Sequence, residues 1–264
     1  MQIPFYQVDA FTDQLFGGNP AGVCPLRNWI SDGLMQKIAA ENNLSETAFF
    51  VSENDGYRIR WFTPKVEVDL CGHATLASGH VIFHHLDHPG DLIQFESKSG
   101  LLMVKHYQDY LALDFPAASF SKVTPPEKLI DALGKEPLEV YRSDDYLVIF
   151  DSEKDITDLR PDFQILSQLD TRGIITSARG KEVDFVSRFF APAVGINEDP
   201  VTGSAHTLLT PFWAKKLNKN ELTALQLSER KGKLICKYLG DRVEIKGKAV
   251  TYMSGTLFLN SSFS

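Results

Sequence analysis

Two stretches of this 264-residue chain hold residues whose types and spacing could do chemistry, "EVDLCGHAT" at 67–75 and "EDPVTGSAH" at 198–206. Each sets acids before a glycine, then one polar residue, an alanine and a run with helical spacing. A glycine at a helix start lets a ligand approach the backbone. The free N–H groups of the first turn, with the helix dipole, favour an anion. Gly72 and Gly203 are therefore candidate substrate-binding positions for a carboxylate. His73, Asp199 and Ser204 are the polar candidates beside them, and Ser204 can donate a hydrogen bond to a substrate. Read singly, these residues have ordinary roles. A histidine at a helix start is more often a cap or a surface residue, and an aspartate before proline more often forms a turn.

The two stretches belong to a longer repeat. Gly203 follows Gly72 by 131 residues, with Thr202 facing Cys71 and Ser204 facing His73. Upstream, "VSRFFAP" (186–192) follows "RIRWFTP" (58–64) by 128, so the second copy holds three extra residues around "GINEDP". Repetition in sequence usually means repeated structure. Each copy reads as strand, loop and helix, with helices over 74–86 and 205–217 and a proline ending each strand. Pro211 is expected to kink the second helix or end it early. Two pseudo-symmetric halves facing one cleft would present two helix N-termini to one carboxylate.

The remaining pattern predicts an α+β fold. Residues 5–11 and 45–52 read as strands, and 31–43 as a helix capped by Ser31 or Asp32. Residues 92–115 read as an antiparallel meander. The Pro- and Ser-rich segment 116–128 is the linker candidate, which divides the chain into halves 1–117 and 118–264. Glu46, in "NLSETAFF", stands at the start of a strand. Such a carboxylate is ordinarily a solvated strand end, and facing a cleft it would suit proton transfer. His80, His84 and His88 are spaced for one helical face and could hold zinc, but no glutamate follows His80 as in His-Glu-x-x-His. They read as a partly exposed helix end, and no metal site is expected. No Gly-rich phosphate loop and no Gly-x-Ser-x-Gly elbow appears.

Composition narrows the class. A net charge of −7 disfavours a nucleic-acid partner. No apolar run approaches a membrane span, and the start has no signal-peptide pattern. Three scattered cysteines suggest reduced thiols and a cytoplasmic protein.

The segments "VDAFTDQLFGGNPAGV" (8–23), "NLSETAFF" (43–50), "RWFTPKVEVDLCGHATLASG" (60–79) and "EDPVTGSAH" (198–206) resemble the PhzF-like phenazine-biosynthesis isomerases, within the diaminopimelate-epimerase-like superfamily. The resemblance implies two similar halves, each a mostly antiparallel sheet wrapped around a central helix, with the active site between them. It implies catalysis without cofactor or metal on a small carboxylate-bearing substrate. Residue by residue, Glu46 matches the family's proton-transferring carboxylate. His73, Asp199 and Ser204 match polar residues around the substrate, Gly72 and Gly203 the helix starts facing its carboxylate, and Asn19 a cleft-lining residue. A homodimer is a further expectation. The epimerases of the superfamily use one thiol from each half; here Cys71 fills the first position and Thr202 the second, and a threonine hydroxyl is far too weak an acid to serve as the matching base. An isomerase with Glu46 as acid/base is the leading expectation. The alternatives are an amino-acid epimerase using Cys71 and Glu46, and a binding protein without catalysis.

Overall fold

The computed structural model describes residues 1–259. The described residues form two compact units, one of Met1–Asp114 plus 246–259, the other of Phe115–Ile245. This differs from a single cut at 117/118, because the last strand returns to the first unit.

Unit 1 opens with the hairpin of β1 (Gln2–Ala10) and β2 (Asn19–Leu26), registered so that Ala10 faces Asn19. After α1 (Asp32–Asn42), β3 (Glu46–Glu53) lies parallel to β2, with Ala21 opposite Glu46. β4 (Gly56–Phe62) pairs antiparallel with β3, and the short β5 (Glu67–Val68) folds back on β4. α2 (Gly72–His85) follows. β6 (Leu92–Ser97), parallel to β4, then begins an antiparallel meander with β7 (Gly100–Tyr107) and β8 (Tyr110–Pro116).

Unit 2 contains β9 (Ser121–Lys122), α3 (Glu127–Leu133), β10 (Glu139–Arg142), β11 (Tyr146–Ile149), α4 (Glu153–Asp158) and α5 (Phe163–Leu166). β12 (Ile174–Arg179), β13 (Phe185–Ala191), β14 (Ile196–Asp199), α6 (Gly203–Leu217), β15 (Glu221–Gln226) and β16 (Gly232–Tyr238) follow. β17 (Arg242–Gly247) carries the chain out of the unit, and β18 (Ala249–Phe258) pairs along the whole of β1.

The pairing scheme of unit 1 recurs in unit 2. β11 is parallel to β12, β12 antiparallel to β13, β13 antiparallel to β14 and parallel to β15, and β15 antiparallel to β16. Thr47 faces Phe62 in one unit, and Ile174 faces Phe190 in the other. That register makes Gly173 the counterpart of Glu46, and Phe189 the counterpart of Trp61.

In each unit the sheet surrounds a helix. Residues 73–82 of α2 are all buried, and the helix touches β1, β2, β3, β7 and β18. Its approach to β7 needs a glycine: a Cβ on Gly79 would lie 2.7 Å from Val104 Cγ1. β3 carries α1 on one side and α2 on the other, so Thr47–Val51 is buried throughout instead of alternating. Burial of side chains such as Leu76, Val81 and Ile82 contributes about 1.5–3 kcal/mol each. Unit 2 has its own core, in which Leu129, Leu133, Ile156 and Leu166 pack against Val148, Ile174 and Phe190.

Three local expectations are corrected. α6 reaches Leu217, the end read from the sequence, so of the two expectations for Pro211 the early end is overturned. Proline has no N–H to give Thr207 O one turn back, and the Ala118 N–H bonds that carbonyl instead, at 3.0 Å. That bond also ties down part of the linker candidate, where β9 pairs with β10 and α3 begins at Glu127. Finally, His88 lies beyond the end of α2, and His80 is buried. His80 stacks on His84 with ring centroids 4.3 Å apart, and its Nε2 is 2.9 Å from Thr251 Oγ1.

Candidate active site

In unit 1 the β3 start, the α2 start and the β2 start bring Glu46, His73 and Asn19 together. Asn19 follows a tight connection in which Phe11, Phe16 and Gly18 all take positive φ. A Cβ on Gly18 would lie 2.1 Å from Ala10 O, so only glycine fits there. Two bulky residues in the left-handed region indicate backbone strain, held here by the buried Asp9, whose Oδ2 accepts the Phe16 N–H at 3.0 Å.

His73 is the centre of the group. Its Nδ1 lies 3.3 Å from Asn19 Nδ2 and 3.5 Å from Cys71 Sγ, while its Nε2 lies 3.2 Å from Glu46 Oε2. Burial pushes the His73 pKa down to about 3, so the ring is neutral near pH 7. The Asn19 amide donates to Nδ1, which places the ring proton on Nε2, close to Glu46 Oε2 but without hydrogen-bond alignment to it; the hydrogen-bond network assigns this tautomer. Glu46, Cys71 and His73 are also the residues that could hold a metal ion, with donor atoms within 4.8 Å of one another. The imidazole lies between the other two and offers each a different nitrogen. One ion could use only one of these nitrogens.

The repeated motif in unit 2 is built on the same frame with different side chains. α2 begins at Gly72 after Cys71, and α6 begins at Gly203 after Thr202; among the described residues, neither N-cap side chain caps its helix. The Thr202 hydroxyl turns away and donates to Asp199 Oδ2 at 2.5 Å. Buried Gln226 holds the loop. Its Oε1 accepts the Thr202 N–H at 2.8 Å, and its Nε2 donates to Asp199 O at 2.8 Å and Thr202 Oγ1 at 3.1 Å. Ser204 Oγ accepts a hydrogen bond from Arg172 Nη1 at 3.3 Å.

The acids of the two motifs have a role that the sequence reading missed. Glu67 takes two hydrogen bonds from Arg60, at 2.8 and 2.9 Å, and Glu198 takes two from Arg188, at 2.7 and 2.8 Å. Each pair ties a motif loop to the strand before it. Both arginines stand in the repeated strands and both glutamates in the repeated loops, so the pairing was visible in the offsets. Gln226, Arg172 and Asp145 were also missed.

The sequence model of the phenazine biosynthesis-like protein family (PhzC-PhzF) matches residues 8–255. An "Uncharacterized isomerase" of Pseudomonas aeruginosa is 54% identical and covers 98% of this chain and 100% of its own length. A phenazine biosynthesis-like domain-containing protein of Bos taurus is 40% identical, over 97% and 99%. The crystal structure of a PhzF-family protein from Enterococcus faecalis superimposes with a TM-score of 0.96 at 44% identity, covering 98% of this chain and all of its own. A hydroxyproline epimerase from Agrobacterium vitis, at 9% identity and a TM-score of 0.65, covering 99% of this chain and 94% of its own, shares the fold. The chain belongs to the phenazine biosynthesis-like (PhzF) family.

Proposed function

We propose that this protein is a cofactor-independent isomerase that moves a proton on a small carboxylate-bearing substrate, with Glu46 as acid and base. The observation that carries this reading is the Glu46–His73 contact of 3.2 Å, in which a neutral imidazole faces the carboxylate. A neutral imidazole beside the carboxylate spares it the full countercharge of an imidazolium, which would weaken it as a base. Glu46 takes a proton from a substrate carbon, and the C–H electron pair enters the substrate's conjugated system. The protonated Glu46 returns the proton to another carbon. No electron is gained or lost overall. Asn19 fixes the His73 tautomer. Gly72 and Gly203 are assigned to carboxylate binding through their helix starts, and Asp199 and Ser204 to the substrate's polar groups. Relatives that bear the name isomerase support the reaction class.

A second reading, epimerisation with Cys71 and Glu46 as unlike bases, draws support from one observation. The Cys71 thiol, 3.5 Å from His73 Nδ1, flanks the same imidazole as Glu46. Incubating the protein in heavy water with small cyclic and amino carboxylic acids separates the readings. Deuterium gained with a shift of a double bond supports the isomerase. Deuterium gained at an inverted α-carbon supports the epimerase, and no exchange with any acid supports a binding protein.

A further inference from the structure

Glu46 and its unit 2 counterpart, Gly173, differ in more than the missing acid. The residue before Gly173 is Arg172, and its guanidinium occupies the neighbourhood of the motif's polar residue. Arg172 Nε donates to Asp145 Oδ1 at 3.0 Å, and its Nη2 donates to Asp145 Oδ2. Asp145 is 4% exposed. The guanidinium also stands 5.6 Å from the centre of the Phe189 ring. Two of its nitrogens are thus held by a buried carboxylate, and the third, Nη1, reaches Ser204 Oγ at 3.3 Å.

A guanidinium can only donate. Ser204 must therefore accept from Arg172, and its own hydroxyl proton is directed elsewhere. Asp145 neutralises the arginine, so this arrangement is not primarily an added positive charge. It fixes which way a hydroxyl donates.

We propose that Asp145 and Arg172 are positioning residues that set Ser204 as a hydrogen-bond donor to a carboxylate ligand. This rests on the assignment of Ser204 to substrate binding and narrows it to the carboxylate assigned to the neighbouring Gly203 helix start; it does not depend on which residue moves the proton. Arginine suits the task because its planar fork grips both Asp145 oxygens while a third N–H stays aimed at Ser204. A lysine ammonium, a single point of charge on a flexible stem, cannot do both.

The test is titration calorimetry with benzoate, using benzamide as the neutral probe. Arg172→Met and Ser204→Ala should each weaken benzoate binding about tenfold and leave benzamide unchanged. In the Ser204→Ala background, Arg172→Met should cost nothing further, because the arginine acts through the hydroxyl. Arg172→Lys should recover less than half of the lost affinity on a logarithmic scale. Arg172→Met leaves a buried carboxylate without its partner, so Asp145→Asn/Arg172→Met provides a variant without that burden; it should match the single variant in benzoate affinity. Deuterium exchange by Glu46→Gln is read separately from benzoate affinity in the Arg172 and Ser204 variants, which separates a failure of the Glu46 assignment from a failure here. Unchanged benzoate affinity in Arg172→Met would overturn the proposal. So would an equal further loss in the Ser204→Ala background, or no benzoate binding by the wild type.

Discussion

The ring of Phe189 fills the space into which a side chain at residue 173 would grow. A Cβ on Gly173 would lie 2.3 Å from Phe189 Cζ and 2.7 Å from its Cε2. Gly173 is the counterpart of Glu46, so where the frame presents a carboxylate in unit 1, the Phe189 ring takes the matching space in unit 2. The duplication therefore leaves one acid where two could have stood.

Gly173→Ala should destabilise the protein by about 1–3 kcal/mol through overpacking, since Phe189 is itself buried. Phe189→Leu in the same chain should recover part of the loss, giving a favourable coupling in a double-mutant cycle measured by urea unfolding. Additive costs would mean that the ring and the glycine do not share that space.

Much of this frame was legible in the sequence. The repeat gave the two helix starts at Gly72 and Gly203, and the strands before them, because duplicated elements keep their apolar spacing and their glycines. The family motifs gave Glu46, His73 and Asn19 as a group. The pairing of β18 with β1 was not legible, because it joins the two ends of the chain and leaves no local pattern. Asp145 and Arg172 stand 27 residues apart with nothing in their spacing to link them. The donor that satisfies Thr207 O opposite Pro211 comes from residue 118, which periodicity within the helix does not register.

The Arg60–Glu67 pair predicts an acid-sensitive contribution to stability. Hydrogen bonds from Arg60 hold the Glu67 pKa down to about 2, from an ordinary 4.5. A carboxylate lowered in the folded state stabilises fully above its unfolded pKa. That contribution is lost as the pH falls from about 4.5 through about 2. Glu67→Gln should destabilise by about 1.5–3 kcal/mol at pH 7 and flatten the dependence over that window. Unfolding free energies of both proteins between pH 6 and 2 check this; parallel curves would contradict it.

A second pH window comes from buried histidines. Burial pushes His73 and His80 down to about 3 and His206 to about 4, from 6.5. Their folded-state pKa values are depressed, so unfolding takes up protons below pH 6.5. Stability is full above that pH and falls as the pH drops toward 4. Each histidine contributes about 1.4 kcal/mol per pH unit within the window. His206→Gln, which removes one titrating group, should reduce the slope between pH 6 and 4.5 by roughly that amount. An unchanged slope would show that His206 is not held neutral.

Cys71→Ala separates the two catalytic readings from the thiol side. As an isomerase that depends on Glu46, the variant should keep more than about a tenth of wild-type exchange, a loss below about 1.4 kcal/mol in transition-state stabilisation. Loss of exchange by a hundredfold or more would assign the thiol to the chemistry.

The most direct measurement is solvent-deuterium incorporation by Glu46→Gln, compared with the wild type on a carboxylic acid that the wild type labels. Glutamine keeps the size of the side chain and can still meet His73, but it cannot accept the substrate proton. The expected result is no incorporation above the uncatalysed rate, with carboxylate binding within roughly tenfold of the wild type, about 1.4 kcal/mol. Incorporation at the wild-type rate by Glu46→Gln would contradict the assignment of Glu46 as the base.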